Sequence, residues 1–379
     1  MLNPDNKINV LHIVLSLEMG GLEKVVVECV PAFDRNIFNV EVCCIDELGC
    51  LSENLKNTNI NITLLRKNQD HYDIFFPIKL SRLLRTKNIH ILHMHTGTFF
   101  IGTQAGILAK TPVKIYTDHG RHLIEPRIIF FMDRFSGAFS DKIVAVSKEL
   151  ENYLIEVVKL PAYKTTTIIN GIDTDTFSYK PKSLQLMNKL NIPVNHNIIG
   201  TVGRLAEVKD QSTMINALIK VRNCLPDTIL LLIGDGPMRT ELQTLVNNNG
   251  LRDHVKFVGN RDDVPDLLNL LDIFLLTSLS EGTSISLLEA MSSGVVPIVT
   301  KVGGNTSLVD NDINGKIINP KQVDKLAEDI VELLVNDDLR SSFSKNAINK
   351  VHEKFSLNNM INNYTTLYLN LCKSKRLFN

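Results

Sequence analysis

The chain has 379 residues, 44% of them apolar, enough for two ordinary α/β domains that each bury a core. Lys plus Arg and Asp plus Glu both number 41, so no global field draws in nucleic acid. The six cysteines (Cys29, Cys43, Cys44, Cys50, Cys224, Cys372) contain no CxxC pair and no Cys/His cluster, which points to buried reduced thiols of a cytosolic protein rather than a disulfide framework.

The first apolar run, INVLHIVLSL, follows no basic stretch and precedes no small-residue cleavage site, so it reads as a strand and not as a signal peptide. Strands are expected at residues 8–15, 38–45, 60–65, 90–94, 113–117, 142–145 and 165–169, with helical patterns between them, as at 22–33, 78–87 and 147–157. A polar stretch follows at 173–196, with Pro181 and Pro193, and reads as a connection between domains. The second series of strands is expected at 198–202, 228–233, 255–257, 273–277, 296–300 and 316–318, and helices at 323–335, 339–354 and 357–373 close the chain. Short strands alternating with helices predict two doubly wound parallel sheets, one in residues 1–172 and one in 197–355, with 356–379 as a last helix. No segment approaches the roughly 20 apolar residues that cross a bilayer, so a soluble or peripheral protein is expected.

Ligands of such sheets bind beyond the carboxyl ends of the strands, and five segments fall there. Gly20-Gly21, after the first strand, lets backbone approach a phosphate or sugar, though a plain tight turn reads the same way. His119, in Thr117-Asp118-His119-Gly120, can hydrogen-bond a hydroxyl or serve only the core. Gly203 and Arg204 open a turn closed by Lys209, and the two cations can neutralise a diphosphate, Arg by a fork and Lys as a point charge. Asp235-Gly236 and Val258 lie in turns that can offer backbone to a nucleobase. The most informative segment runs from Glu281 through Gly282, Thr283, Ser284, Ile285 and Leu288 to Glu289. A helix beginning near Ser284 would place Glu289 about two turns in, with phosphate on the helix start, Glu281 on a sugar and Glu289 on a ribose.

Together these segments resemble the retaining glycosyltransferases of family 4, which have the two-Rossmann GT-B fold. The matching residues are GGLE at 20–23, DHG at 118–120, NGID at 170–173, GRLAEVKD at 203–210, GDGP at 234–237, VKFVG at 255–259 and EGTSISLLEAMSSGVVPIV at 281–299. The last helix, after Lys354-Phe355-Ser356, looks like the family's helix that crosses back to the first domain. The resemblance implies a hexosyltransferase-type enzyme using a nucleoside-diphosphate sugar, UDP before GDP. Its acceptor would be a saccharide or lipid-linked saccharide, in surface-polysaccharide synthesis at the inner face of the membrane. It further implies that Arg204 and Lys209 hold the diphosphate, that Glu281 and His119 meet the donor sugar, that Glu289 meets the ribose and that Gly21 lies near phosphate and acceptor. The chain departs from the family at Thr306 and Ser307, where a glutamate often follows the Gly-Gly that matches Gly303-Gly304.

Attack from the leaving-group face is implied, with the departing phosphate taking the acceptor's proton, no cofactor and no metal. Asp173-Thr174-Asp175 matches an Asp-x-Asp metal pattern, but an Asx turn is a sufficient explanation, as it is for Asp310-Asn311-Asp312. Two alternatives share these residues: a nucleotide-sugar epimerase and a non-catalytic partner subunit. The stretch 124–139, with IIFFM beside Arg127 and Arg134, could lie on lipid, but core packing is the expected reading.

Overall fold

The computed structural model describes residues 7–56, 58–66, 75–120 and 126–377. Apolar, β-branched runs become strands: β1 (Ile8–Val14), β2 (Phe38–Cys44), β3 (Ile62–Leu64), β4 (Ile91–His95), β5 (Val113–Asp118), β6 (Lys142–Ala145) and β7 (Thr165–Thr167). The second series is β8 (Asn197–Val202), β9 (Thr228–Ile233), β10 (Val255–Gly259), β11 (Ile273–Leu276), β12 (Val296–Thr300) and β13 (Lys316–Ile318). β9, TILLLI, is buried at every position, the continuous apolar pattern of a strand covered on both faces.

The chain divides into two compact units, residues 1–171 with 357–379, and residues 172–356. In the first, the sheet order is β3-β2-β1-β4-β5-β6-β7; in the second it is β10-β9-β8-β11-β12-β13. The strand pairs are parallel, for example Val10 opposite Val40 and Ile91, and Ile273 opposite Ile199 and Val296. In both units the chain winds outward one way, returns to the middle and winds the other way. This creates a switch point between β1 and β4, and another between β8 and β11. The expected pair of doubly wound Rossmann-like sheets is therefore present.

The final helix, Leu357–Ser374, belongs to the first unit, as the return of the C-terminal helix required. It buries Tyr364 and Tyr368, and the Tyr368 ring stacks on Phe33 with centroids 5.4 Å apart. Residues 173–196 are built into the second unit: Lys182 pairs with Asp272 at 2.7 Å, and Leu186 and Met187 are buried on the short helix Leu184–Lys189.

Two expectations are corrected. The helix Arg127–Phe139 does not turn its apolar face inward: Ile128 and Phe131 are 61% and 68% exposed, while Asp133, Ser136 and Gly137 are buried. The small side of the helix packs inward because Gly137 lets it approach Leu160, where a Cβ would meet the leucine at 2.9 Å. Residues 124 and 125 of the same stretch lie outside the described residues. Of the cysteines, Cys29, Cys43, Cys44 and Cys372 are buried but Cys50 and Cys224 are exposed. Among the described residues, no helix is long and apolar enough to cross a membrane.

Candidate functional site

β8 and β11 are hydrogen-bonded neighbours at the switch point of the second unit, so the loops after them leave the sheet side by side. The first loop, 203–210, carries Arg204 and Lys209; the second, 277–284, carries Glu281. Lys209 Nζ lies 2.6 Å from Glu281 Oε1, and Ser278 Oγ donates to the same oxygen at 2.5 Å. Backbone ties hold the two loops in register: Leu279 N donates to the Val208 carbonyl at 2.8 Å, and Thr277 Oγ1 donates to the carbonyls of Lys209 and Asp210 at 3.2 and 2.8 Å.

Asp210 anchors the turn from below. Its backbone is left-handed (φ 49°), a conformation that aspartate tolerates better than most residues. Its buried carboxylate accepts from Thr213 Oγ1 at 2.6 Å, Ser212 Oγ at 2.8 Å and Lys321 Nζ at 2.8 Å. Arg204 is exposed, and among the described residues its guanidinium makes no hydrogen bond or ion pair, while its carbonyl accepts from Gln211 Nε2 at 3.0 Å. One cation is thus held by a carboxylate and the other stands open beside it.

Two further loops join this cluster. Leu205 N donates to the Asp235 carbonyl at 3.0 Å, and Gly236 backs on Leu205, where a Cβ would lie 2.4 Å from the carbonyl oxygen. Gly234 N donates to the carbonyl of Gly259, which places Val258 next to the same turn. From the other side, Gly304 N donates to the Gly282 carbonyl at 3.0 Å. Gly303 adopts φ 46°, and a Cβ there would sit 1.8 Å from the Glu281 carbonyl oxygen, so only glycine fits against the loop. Thr306, at the departure from the family pattern, donates to the Gly303 carbonyl at 3.4 Å.

Ser284 caps the helix Ile285–Ser292, its Oγ accepting from Leu287 N at 3.4 Å. Glu289 is the fifth helical residue, little more than one turn in rather than two, and is 2% exposed. The Ile285 and Leu288 side chains are buried, so contact with a ligand there falls to backbone. Sequence reasoning passed over Ser278, Thr277 and Lys321. Asp210 lay within the GRLAEVKD match, which was the one signal for it.

In the first unit, Gly20 precedes the helix Gly21–Ala32, and a Cβ on Gly21 would meet nothing within 4 Å. The Glu23 carboxyl folds back beside Gly20, and burial raises its pKa. His119 follows β5, with its backbone N donating to Thr96 Oγ1 at 2.9 Å. Its Nε2 faces His95 Nδ1 at 2.9 Å, and His95 Nε2 faces His12 Nδ1 at 3.0 Å. Tyr368 OH lies 3.4 Å from His12 Nε2 and 2.5 Å from His93 Nδ1, while His93 Nε2 meets Thr117 Oγ1 at 2.7 Å. Sequence reasoning missed this histidine cluster, because β1, β4 and β5 bring together residues that lie far apart along the chain. Burial pushes His12 and His119 down to about 3 and holds His93 and His95 well below the usual imidazole range, so all four rings are neutral at pH 7.

His12, His93 and His95 are close enough to surround one metal ion. Yet each of their six ring nitrogens already has a hydrogen-bond partner, and the His95 ring stacks on both others, which suits a network better than a ligand set. Asp173 closes an Asx turn, accepting from Asp175 N at 3.0 Å and Thr176 Oγ1 at 2.6 Å.

Two doubly wound units, with a carboxylate–lysine pair and an open arginine at a switch point, are the architecture of the GT-B class. Comparison with known proteins agrees. The family model described as Glycosyltransferase Family 4 matches residues 19–176, and that of Glycosyl transferases group 1 matches 183–350. A relative in Escherichia coli, UDP-Gal:alpha-D-GlcNAc-diphosphoundecaprenol alpha-1,3-galactosyltransferase, is 25% identical, with 99% of this chain and 100% of the relative covered. N-acetyl-alpha-D-glucosaminyl L-malate synthase of Bacillus anthracis is 28% identical, covering 80% of this chain and 81% of its own. Among solved structures, Anabaena Alr3699/HepE in complex with UDP superposes with a TM-score of 0.85 at 21% identity, covering 96% of this chain and all of that one. The chain belongs to glycosyltransferase family 4, and it is an enzyme of the glycosyltransferase class.

Proposed function

We propose that this glycosyltransferase moves a sugar from a nucleoside-diphosphate sugar, UDP-linked in preference to GDP-linked, to a hydroxyl of a saccharide or lipid-linked saccharide in surface-polysaccharide synthesis. Retention at the anomeric carbon and independence of metal belong to the same reading. The observation that carries it is the Lys209–Glu281 pair at 2.6 Å beside the open Arg204. Support for the nucleotide and acceptor comes from the Escherichia coli relative, whose name specifies UDP-Gal and a diphosphoundecaprenol-linked sugar.

In this reading, Arg204 grips the diphosphate by its fork and the start of the helix Ile285–Ser292 offers its free N–H groups. Lys209 exchanges Glu281 for phosphate when the donor arrives. Glu281 stays fixed by Ser278 and turns its remaining acceptor capacity to donor-sugar hydroxyls. Glu289 serves the ribose, while Asp235, Gly236 and Val258 serve the nucleobase through backbone; on the first unit, His119 serves the sugar and Gly20-Gly21 lie near the donor phosphate and the acceptor. The glycosidic carbon–oxygen bond breaks with oxocarbenium character, its electron pair leaves on the diphosphate, and that phosphate takes the acceptor's proton. Stabilising the departing charge is the protein's main contribution.

The test is turnover of a panel of UDP- and GDP-sugars with and without acceptor, with and without chelator. Arg204→Ala and Lys209→Ala are each expected to lower kcat by roughly 100- to 1000-fold, as loss of one oxyanion donor does. Normal turnover in both variants overturns the assignment, and an epimer formed from donor alone favours the epimerase instead.

A membrane-facing role belongs to the same proposal. The outward Ile128, Phe131, Phe135 and Phe139, on a helix that also carries Arg127 and Arg134, suit the interface of an anionic leaflet. Phe131→Ser should lower co-sedimentation with anionic vesicles while leaving the fold unchanged. Equal recovery of both proteins with vesicles and without them removes this part.

A further inference from the structure

We infer that His12, His95 and Tyr368 act as positioning residues that fix which nitrogen of His119 carries its proton. A neutral imidazole has one N–H and one bare nitrogen, so a ring bonded through both must pass a donor on one side and an acceptor on the other. His95 and His12 are such rings: His95 joins His119 to His12, and His12 joins His95 to Tyr368. All three links therefore point the same way. Choosing the direction of the last one chooses the tautomer of His119.

Tyr368 makes that choice. Its hydroxyl has one proton and two ring neighbours, His93 Nδ1 at 2.5 Å and His12 Nε2 at 3.4 Å. A phenol donates better than an imidazole N–H, and an imidazole nitrogen accepts better than a phenol oxygen. The short link is therefore Tyr368 donating to His93, whose Nε2–H then donates to Thr117 Oγ1 at 2.7 Å. His12 Nε2–H must donate to Tyr368, His95 Nε2–H to His12 Nδ1, and His119 Nε2–H to His95 Nδ1. What remains is His119 Nδ1, bare, buried and without a partner among the described residues. An orphaned buried acceptor carries a free-energy cost that a ligand hydroxyl can relieve. That the hydroxyl belongs to the donor sugar rests on the functional reading above, but the tautomer does not.

The inference makes the C-terminal helix part of the site's chemistry, because Tyr368 sits on Leu357–Ser374 and reaches His119 only through two rings. It is tested on the full-length protein, selectively labelled with 15N-histidine and free of ligand, by long-range ring correlations that report the tautomer. Wild type is expected to show His119 as the Nε2–H form. Tyr368→Phe keeps the stacked ring but leaves His12 Nε2–H with no acceptor, so nothing fixes the direction of the string: it costs one buried unpaired N–H either way, at His12 Nε2 or at His119 Nδ1, and both directions are populated. His119 should then gain Nδ1–H character.

In a His95→Asn background, which keeps a polar neighbour for His119 but cuts the string, adding Tyr368→Phe should leave the His119 signals where they are. If wild type and Tyr368→Phe give the same His119 shifts while both retain native near-ultraviolet dichroism, the inference is overturned. It is equally overturned if the shift survives the His95→Asn cut. Kinetics give a second readout: Tyr368→Phe should cost about five- to tenfold in turnover, the scale of one mismatched hydrogen bond, with UDP affinity unchanged. Because the ring signals are read without donor, their failure leaves the donor assignment standing, and loss of UDP binding by the Arg204 and Lys209 variants leaves the tautomer result standing.

Discussion

Gly303 and Gly250 separate backbone strain from steric exclusion at the level of single residues. Both have positive φ, 46° and 66°, but a Cβ on Gly250 meets nothing within 4 Å, whereas one on Gly303 lies 1.8 Å from the Glu281 carbonyl oxygen. Gly250→Ala should therefore cost only the left-handed strain, about 1–2 kcal/mol, seen as a drop of a few degrees in Tm with turnover intact. Gly303→Ala must also displace the loop that carries Glu281. Since misplacement of about 1 Å can cost roughly 100-fold, it should lose turnover far beyond its loss in Tm. Equal turnover in the two variants, measured at saturating donor, counts against Glu281 as a site residue. The chain itself places Gly303-Gly304 just after the strand expected at 296–300, and it announced the Glu281 loop by its neighbours. It did not announce the Lys209–Glu281 contact, because a pairing across 72 positions depends on which strands become neighbours, and periodicity does not encode that order.

Strands β1, β4 and β5 carry ionisable rings into a core, and that gives the first unit an acid limit. The pKa of His12 is lowered in the folded state, to about 3, while in the unfolded chain it is the ordinary 6.5. The unfolded state thus binds the proton first: stability is full above pH 6.5 and is lost as pH falls toward the folded value. By linkage, His12 alone removes about 2 kcal/mol between pH 7 and pH 5, and His93 and His95 act in the same direction. Urea unfolding at the two pH values checks this, and His12→Asn should flatten the dependence by about one proton. A stability independent of pH over this range contradicts neutral burial. The strands themselves were legible, because VLHIV and ILHMH read as apolar runs with a histidine riding in them. That same reading hid the cluster, since a histidine in a core strand shows its partners only once β1, β4 and β5 become neighbours and Tyr368 docks from the last helix. The helix Arg127–Phe139 was misread for the converse reason. Its apolar residues suggested an inward face, and only the close approach of Gly137 to Leu160 reveals that the small side is the buried one.

For the whole molecule, the division of the chain has a consequence for where the donor is held. The first unit is assembled from two separate stretches, but the second is one uninterrupted run, 172–356. Its core, including Leu218, Leu230, Leu275, Ile298 and Leu333, comes entirely from that run. So do Arg204, Lys209, Asp235, Gly236, Val258, Glu281 and Glu289, which carry most of the contacts proposed for the nucleotide. A continuous segment with its own core meets the ordinary requirement for independent folding. Residues 172–356 produced alone should therefore fold and bind UDP with an affinity close to that of the full chain, while transferring no sugar, because His119 and Gly20-Gly21 are missing. Calorimetric titration gives the affinity. At UDP near 100 times its Kd, thermal unfolding should also show a stabilisation of about 2.7 kcal/mol, which for a domain of this size is roughly 5–10 °C in Tm. If UDP stabilises the full chain and leaves the isolated segment unchanged although it is folded, the first unit supplies essential donor contacts and the nucleotide does not rest on the 203–210 and 277–289 loops alone.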